Sequence, residues 1–420
     1  MAHTKGRSSR CAFQPRPKKK APAARPPRPA KAPLPAAQLA HHQLLLRVFA
    51  STFAAELSSH NLHNAIQDVK KALFERDFAA AFTNADSLPS YAARWSPTRA
   101  ACYSGLLAEL EWEELMDGRP CAEKAKKDDD DEESDNGSGD SENGNGDLDP
   151  PNPTTTSANP THQQIEIVAL GGGAAELAAL GSMLALNPGL TAQLTILDSG
   201  PWAAVLDRLQ AGLITPPALS KYASASAHAA NHALLDSPTR LAVRFEQVDV
   251  LGLAGTARTH SAAGSNDADS EETDVSPAAL RKAIYGSSTA PGRKVLITLL
   301  FTLNELYASS RGKTTMLLLS LTELLPAGSL LLILDSPGSY SEAAVGKEMR
   351  RYPMKLLVEH TLLREERGAG NDKKWEMVES EDSAWFRLPD GLEYPIPLEN
   401  MRYQKHLYRL VAPASNSLKE

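Results

Sequence analysis

The sequence predicts an α/β fold, built as a doubly wound and mostly parallel sheet, preceded by a helical region. Short apolar runs rich in β-forming residues alternate with runs whose apolar residues have helical spacing. Such alternation is typical of a parallel sheet covered by helices on both faces. Two polar, low-complexity segments interrupt the pattern and are predicted to be disordered.

The chain starts with a basic tail, predicted to be disordered over residues 1–37. Between Met1 and Lys31 it has ten basic residues and no acidic one. A segment of this composition is attracted to polyanions, and it can hold RNA through counterion release without reading its sequence. Nuclear import, which Arg16-Pro-Lys-Lys-Lys20 would suit, and a merely solubilising role are the alternatives.

A helical N-terminal region is predicted over residues 38–120. Two sets of apolar residues recur at intervals of three and four and predict amphipathic helices: Leu44, Leu45, Val48, Phe49 and Phe53, then Leu62, Ile66, Val69 and Leu73. Ser96-Pro97 resembles an N-cap followed by proline at the first helical position, and predicts a further helix running toward Met116.

Aromatic and basic residues cluster around that predicted helix start, at Tyr91, Arg94, Trp95 and Arg99. An exposed tryptophan between two arginines could stack on an RNA base. The alternative is that Trp95 docks the helical region onto the sheet. An acidic low-complexity linker follows over residues 121–162.

The first strand of the sheet is predicted at residues 165–170 and runs directly into Gly171, Gly172 and Gly173. Glycine lets the backbone turn sharply against a ligand, and the next helix offers unpaired N–H groups and a positive dipole end. A dinucleotide fingerprint requires a small third residue, but Glu176 stands there. This favours S-adenosylmethionine (SAM), a sulfonium cation without phosphate; a turn without a ligand is the alternative.

The next two predicted strands each end in a carboxylate. Residues 194–198 end at Asp198, which is predicted to hold ribose hydroxyls because ligands lie outside the carboxyl ends of parallel strands. Residues 242–248 are followed by Asp249, at the position where SAM-dependent methyltransferases of this architecture usually bind the adenine amino group. Each aspartate alone could instead be a helix cap. These strands complete a first half of the catalytic domain at residues 163–253.

A second low-complexity insert, residues 254–277, separates this half from residues 278–420. Near-continuous apolar runs predict strands at residues 295–303 and 329–335, of the kind that parallel sheets bury on both faces. Lys313 to Leu325 is predicted as the helix between them. Short β-like runs at 385–388 and 405–411 are predicted to complete the sheet.

Four blocks carry a resemblance to a known family: Tyr91–Ala100, Val168–Glu176, Leu299–Tyr307 and Leu398–Arg409. With them the chain resembles the fungal SAM-dependent methyltransferases that modify ring nitrogen N3 of uridine in 25S ribosomal RNA. The resemblance implies a Rossmann-like class I methyltransferase sheet, SAM as cofactor, and ribosomal RNA or a pre-60S particle as partner.

The resemblance also implies that the block after the fourth strand faces the substrate. Asn304 is then predicted to hydrogen-bond the uracil edge, and Glu305 to accept or share its ring proton. The alternative for Glu305 is a first-turn acid that favours the helix dipole. Weaker candidates are Ser336–Tyr340 as a loop over the base, Arg402 as a phosphate contact, and Trp202 beside the adenine.

Two other functions stay open: a methyltransferase-like scaffold for ribosome assembly, and a methyltransferase for a protein or small molecule. The three cysteines and eleven histidines have no zinc-ligand spacing, so no metal is expected. There is no apolar run of roughly 18 residues, so no membrane contact is expected. The expected location is the nucleus or nucleolus and the cytoplasm.

Overall fold

The computed structural model describes residues 35–82, 84, 87–110, 112, 163–253, 277–286, 293–338, 340–345, 348–363 and 373–412. The predicted linker at 121–162, nearly all of the predicted basic tail and nearly all of the predicted insert at 254–277 lie outside these residues. The division of the chain into the predicted regions stays a prediction.

A seven-stranded sheet forms the centre of the structure, in the order β3-β2-β1-β4-β5-β9-β8. Its strands are β1 (Gln163–Leu170), β2 (Leu190–Asp198), β3 (Leu241–Gln247), β4 (Leu296–Leu300), β5 (Leu330–Asp335), β8 (Lys374–Phe386) and β9 (Met401–Val411). The first five run parallel to one another, and β9 runs antiparallel between β5 and β8. The predicted doubly wound α/β fold is confirmed.

Helices precede the sheet and follow its strands. The helices are α1 (Ala36–Thr52), α2 (Ala54–Leu57), α3 (Leu62–Phe74), α4 (Phe78–Phe82), α5 (Leu88–Ala108), α6 (Ala174–Leu186), α7 (Ala203–Leu213), α8 (Ala225–Ala229), α9 (Pro277–Tyr285), α10 (Leu303–Ser309), α11 (Arg311–Leu324) and α12 (Met354–Leu362). The helices predicted around Leu44, around Ile66 and at 313–325 are confirmed as α1, α3 and α11.

The sheet is buried on both faces because successive side chains of a strand point to opposite sides. In β1, Ile165, Ile167 and Ala169 pack into the core that contains α5, α6 and α7. Val168 and Leu170 pack into the other core, with α9 to α12. Every residue of β4 and β5 is buried, which explains why their sequences are apolar except for Thr298 and Asp335.

Helix α5 corrects the prediction that a helix starts at Ser96-Pro97. The helix begins at Leu88, so Pro97 lies in its interior. A proline there has no N–H to donate to the carbonyl four residues earlier, which is that of Ala93. The hydroxyl of Tyr394 supplies the missing donor, at 2.7 Å from the Ala93 carbonyl oxygen. A distant part of the chain thus makes the proline tolerable.

Helix α5 packs along α6 and joins the N-terminal helices to the sheet. Ser182 in α6 is buried and takes part in two hydrogen bonds across this interface. The Ser104 hydroxyl donates to its Oγ at 2.8 Å, and His41 Nε2 in α1 lies 2.8 Å from the same atom. The N-terminal helices therefore share a core with the sheet and help to position its ligand edge.

Two antiparallel strands outside the main sheet were not predicted. They are β6 (Tyr340–Val345) and β7 (Glu348–Pro353), which pair as a hairpin after β5. The predicted loop at Ser336–Tyr340 therefore leads directly into a strand. The β-like runs predicted at 385–388 and 405–411 belong to the longer strands β8 and β9, which do complete the sheet.

Candidate functional site

A cleft of about 430 Å³ lies at the carboxyl edge of the sheet, where β1 is flanked by β2 on one side and β4 on the other. Consecutive connections leave in opposite directions at this point, and ligands of open α/β sheets bind in the crevice that results. The cleft is lined by the glycine turn after β1, the ends of β2 and β4, and helix α5.

The turn after β1 requires glycine at its first position, because any side chain there would collide with a neighbouring residue. Gly171 has φ of 70°, in the left-handed region that favours glycine, and a Cβ there would lie 2.1 Å from Thr302 Cγ2. Thr302 follows β4, and its hydroxyl donates to the Gly171 carbonyl oxygen at 3.0 Å. Gly171, Gly172 and Gly173 all line the cleft, as the sequence predicted.

Glu176 also lines the cleft, and its place in the helix explains why a carboxylate stands there. Its Oε2 accepts a hydrogen bond from the Gly173 N–H at 2.7 Å, which caps the first turn of α6. Burial raises the pKa of Glu176, against the hydrogen bond from Gly173. The side chain fills the space in which a dinucleotide site has a small residue.

Asp198 is the last residue of β2 and borders the cleft. Its Oδ1 accepts from the Gly200 N–H at 2.7 Å, which fixes the carboxyl group at the edge of the sheet. Burial raises its pKa to about 7, against the Gly200 hydrogen bond, with Glu176 adding to the rise. Asp198 is thus held where a ligand's hydroxyl groups would meet it.

Asp249 follows β3, where it caps a helix and also lies in the wall of the cleft. Its Oδ1 accepts from the Leu251 N–H at 2.9 Å and caps a one-turn helix, Val250–Gly252. The same residue, with Val250 and Leu251, lines the end of the cleft. Being a cap therefore does not remove Asp249 from the site.

Asn304 and Glu305 both lie in the first turn of α10, but only Glu305 is among the described residues that line the cleft. Glu305 lines the cleft, and burial raises its pKa to about 8, against the positive charge of Arg99 and with the help of Asp198 and Asp335. Asn304 is not among the described residues that line the cleft; its backbone N–H donates to Asp335 Oδ2 at 3.0 Å. Its predicted contact with a base stays a prediction.

Arg99 belongs to the aromatic and basic cluster noted in the sequence, but its place in the wall of the cleft was not predicted. It lines the cleft from helix α5 and donates from Nη1 to the Tyr91 hydroxyl. Its guanidinium carbon lies 5.1 Å from the ring centroid of Phe301 and 5.7 Å from that of Tyr91. One cation is therefore fixed against two aromatic rings beside Glu305.

Trp95, proposed from the sequence as a base-stacking residue, is not among the described residues that line the cleft. Its ring lies 5.0 Å from the ring of Tyr91, and the Tyr91 ring lies 5.9 Å from that of Trp202. The alternative of docking the helical region onto the sheet fits this geometry. Trp202 itself lines the cleft and packs against Gly173, where a Cβ would lie 3.1 Å from its ring.

Among the described residues that line the cleft there are four acidic residues and one basic residue, Arg99. Glu176, Asp198 and Glu305 lie in its wall with Asp249 at one end, and Arg99 is their counter-charge. Binding a cation among these carboxyls stabilises their ionised forms. The glycine turn and the acids therefore fit a ligand that carries positive charge and hydroxyl groups, as SAM does.

Metal-binding and membrane-spanning features were sought over the described ranges. Those residues contain no group of three or more His, Cys, Asp or Glu side chains that could hold a metal ion. None of the helices found there is both long and apolar enough to cross a membrane.

Comparison with known proteins gives relatives along most of the chain. The 25S rRNA (uridine(2843)-N(3))-methyltransferase of Saccharomyces cerevisiae is 27% identical over 393 residues, which cover 87% of this chain and 85% of the yeast protein. Among solved structures, a SAM-dependent methyltransferase from Methanosarcina mazei is 8% identical (TM-score 0.29) and covers 60% of this chain and 94% of its own. The N-methyltransferase NodS from Bradyrhizobium japonicum, in complex with S-adenosyl-L-homocysteine, is 10% identical (TM-score 0.25), with coverages of 58% and 77%.

A family match extends over nearly the whole described structure. The family described as "Putative SAM-dependent methyltransferase" matches residues 49–409, from helix α1 to the end of β9. The predicted cofactor and the predicted enzyme class are confirmed by this match. With its glycine turn and acidic cleft at the switch point of the sheet, the chain belongs to this family of SAM-dependent methyltransferases.

Proposed function

We propose that this protein transfers the methyl group of SAM to N3 of a uridine in large-subunit ribosomal RNA. The observation that carries the proposal is the position of Glu305, a half-buried carboxyl that lines the cleft together with the fixed cation of Arg99 and whose pKa is raised to about 8. Methylation of a ring N–H requires a group that takes up its proton. The name of the yeast relative supports the substrate, since that protein acts on N3 of a uridine in 25S ribosomal RNA.

Glu305 is proposed as the proton acceptor. The uracil N3–H is engaged in base pairing within a duplex, so the target base has to be unpaired or flipped out to reach the cleft. Bound SAM supplies an electrophilic methyl carbon on a positively charged sulfur. Glu305 accepts the N3 proton while N3 forms its bond to the methyl carbon, and the sulfur keeps the electron pair of the broken bond. A carboxyl whose pKa lies near the working pH suits this role.

Arg99 is proposed to stabilise the charge that develops on the base. As N3 loses its proton, negative charge spreads to the two uracil carbonyl oxygens, and a guanidinium offers several N–H donors to such oxygens. Its contacts with Tyr91 and Phe301 hold it in place before the reaction. This preorganisation costs no reorientation at the moment of methyl transfer.

The remaining site residues are proposed to hold the cofactor. Gly171, Gly172 and Gly173 would lie against its methionyl part and Glu176 would face its positive charge. Asp198 would accept from the ribose hydroxyls and Asp249 from the adenine amino group. Support comes from their common position around one cleft at the switch point of the sheet.

The substrate assignment is tested by mapping N3-methyluridine in large-subunit RNA from cells with and without this protein. We expect one N3-methyluridine to be lost without the protein and restored by the wild-type gene, but not by a Glu305→Gln gene. Retention of every N3-methyluridine in cells without the protein would remove the proposed substrate. RNase-sensitive methyl incorporation by the purified protein provides an independent check.

We further propose that the basic tail, residues 1–37, attaches the protein to ribosomal RNA or a pre-60S particle. Ten basic residues without an acidic one support electrostatic attachment, because each phosphate neutralised releases counterions. The tail lies almost entirely outside the described residues, so the proposal that it binds RNA is supported by its composition alone. A nuclear or nucleolar location, with a cytoplasmic fraction, would match this partner.

SAM binding should release protons, because the carboxyls of Glu305, Asp198 and Glu176 in the cleft all have raised pKa values. The pKa of Glu305 is about 8 and that of Asp198 about 7, both raised chiefly by burial. A bound cation favours their ionised forms and lowers both values. Affinity for SAM should therefore rise with pH and level off above about pH 8, as both carboxyls ionise in the free protein.

Calorimetry at pH 7, in buffers that differ in ionisation enthalpy, should detect the release of about one proton per SAM bound. S-Adenosyl-L-homocysteine is the matched ligand, since its sulfur has no charge, and it should release fewer protons. Equal release with both ligands would mean that the sulfonium does not lie beside these carboxyls.

A further inference from the structure

An exposed aromatic and basic cluster lies outside the cleft, on the last two strands of the sheet. Trp385 in β8 keeps 53% of its surface exposed. The guanidinium carbon of Arg387 lies 5.2 Å from the Trp385 ring centroid, and that of Arg402 lies 5.9 Å from it. These three residues are called the Trp385 cluster.

The Trp385 cluster lies on the same edge of the sheet as the cleft. In the antiparallel pairing of β5 with β9, Asp335 at the carboxyl end of β5 is opposite Gln404, so Arg402 lies beyond that end. Trp385 is the register partner of Arg402. Between β4 and β8 the sheet has three strand-to-strand spacings, because β5 and β9 lie between them. Measured across the strands, the cluster is therefore about 14 Å from β4. A few nucleotides of single strand can span such a distance.

Core packing does not account for the exposed tryptophan. Its neighbours Ala384 and Phe386 pack against the core, whereas the Trp385 side chain projects from the opposite face of the strand. The Arg402 Nε donates to the Ser383 hydroxyl at 2.9 Å, which holds the guanidinium next to the indole ring. The arrangement thus presents a flat ring with cations at its border.

The charge around the cluster is compatible with a polyanion. Two of the nearby acids of β8 have cationic partners of their own, whereas Glu381 has no ion pair among the described residues: Glu379 pairs with Lys405 at 2.6 Å and Asp382 with Lys355 at 2.7 Å. Glu399, in the segment before β9, pairs with Arg94. Within the described residues neither Arg387 nor Arg402 takes part in an ion pair, so both cations are available to a ligand.

We propose that the Trp385 cluster docks a single-stranded segment of RNA next to the nucleotide that enters the cleft. A base would stack on the Trp385 ring, and the flanking phosphates would contact Arg387 and Arg402. Stacking on an aromatic side chain with nearby cations is how proteins bind single strands without reading their sequence. This proposal rests on the proposed function, which supplies RNA as the substrate class. The Trp385 cluster would be a second RNA contact, which holds the strand while the target base is unstacked.

The test compares RNA affinity of the full chain with three variants: Trp385→Ala, Arg387→Ala/Arg402→Ala and a control, Lys221→Ala/Tyr222→Ala. Tyr222 is 84% exposed, and Lys221 Nζ lies 5.0 Å from its ring, so the control removes a similar pair. The control residues lie in the segment between α7 and β3, and β3 is the outermost strand on the side of the sheet away from β8. The probe is a labelled oligouridylate of roughly ten nucleotides, and binding is followed by fluorescence anisotropy at several salt concentrations.

Trp385→Ala should weaken binding about 10-fold at fixed salt. The double arginine variant should lower the slope of log affinity against log salt by about 1.4, the change for two phosphate contacts to a single strand. The control should match the wild type, and the basic tail contributes equally to all four proteins. Trp385→Phe, which keeps an aromatic face, should retain most of the affinity.

If Trp385→Ala and the double arginine variant both keep the wild-type affinity and salt slope, the RNA docking site is overturned. The surface would then be a candidate site for a protein partner. The assay needs no methyl transfer, so a failed search for N3-methyluridine would overturn the proposed function without deciding this test. SAM affinity, measured by calorimetry on the same variants, should be unchanged and shows that the cleft is intact.

Discussion

Replacing Glu305 by glutamine should slow single-turnover methylation of RNA by about 10²- to 10⁴-fold, the usual contribution of general base catalysis. Glutamine has nearly the same shape but cannot take up the uracil proton. Burial, together with Asp198 and Asp335, raises the pKa of Glu305 to about 8 against the charge of Arg99, so below pH 8 the free wild-type side chain is also neutral. The variant should therefore fold normally at neutral pH.

The measurement is a rapid-quench time course with saturating protein and SAM between pH 6 and 9. For the wild type the rate should rise as Glu305 ionises and then level off, while the variant should be slow throughout. Glu323→Gln, an exposed glutamate of helix α11, is the matched control and should keep the wild-type rate. A full wild-type rate for Glu305→Gln at every pH would exclude Glu305 as the base.

Replacing Asp198 by alanine should weaken SAM binding by roughly 10- to 100-fold, the usual loss when a hydrogen bond to a charged group is removed. The carboxyl is fixed by the Gly200 N–H at the end of β2, so no neighbouring group can take its place without moving the turn. Isothermal calorimetry measures the loss, and Asp207→Ala, an exposed aspartate of helix α7, is the control. Unchanged affinity in Asp198→Ala would remove the ribose contact.

The same variant has a second expected effect, on the pH profile. Asp198 is one of the neighbours that raise the pKa of Glu305. Its removal should lower that pKa and shift the rising limb of the rate profile toward lower pH, when SAM is kept saturating. A loss of affinity without this shift would mean that the two carboxyls do not interact in the complex with SAM.

The strands and most of the residues that line the cleft could be predicted from the sequence because their signals are local. Buried parallel strands appear as continuous apolar runs, and β4 and β5 are apolar for this reason. Gly171 was recognisable because a left-handed backbone after a strand strongly favours glycine. The carboxyl ends of neighbouring strands meet at one edge, so Asp198 and Asp249 could be placed without knowing any other contact.

The start of helix α5 could not be predicted because its signal is not local. Ser96-Pro97 has the residues of a helix start, and the hydrogen bond that permits Pro97 inside the helix comes from Tyr394. Placing the start at Ser96 left Tyr91 outside the helix that carries Arg99, although one continuous helix carries both. The position of Arg99 in the cleft could not be predicted either, since its neighbours Phe301 and Glu305 follow a strand about 200 residues later.

Hydrogen bonds of three residue pairs join the N-terminal helices to the segment between β8 and β9. Gln43 Nε2 donates to the Glu393 carbonyl oxygen at 2.9 Å across 350 positions, Arg94 pairs with Glu399 across 305, and Tyr394 supports α5 across 301. The wall of the cleft that carries Arg99 is therefore completed only when these distant segments of the chain meet. Contacts of such large sequence separation close slowly during folding, so we expect the cleft to be among the last parts of the fold to form.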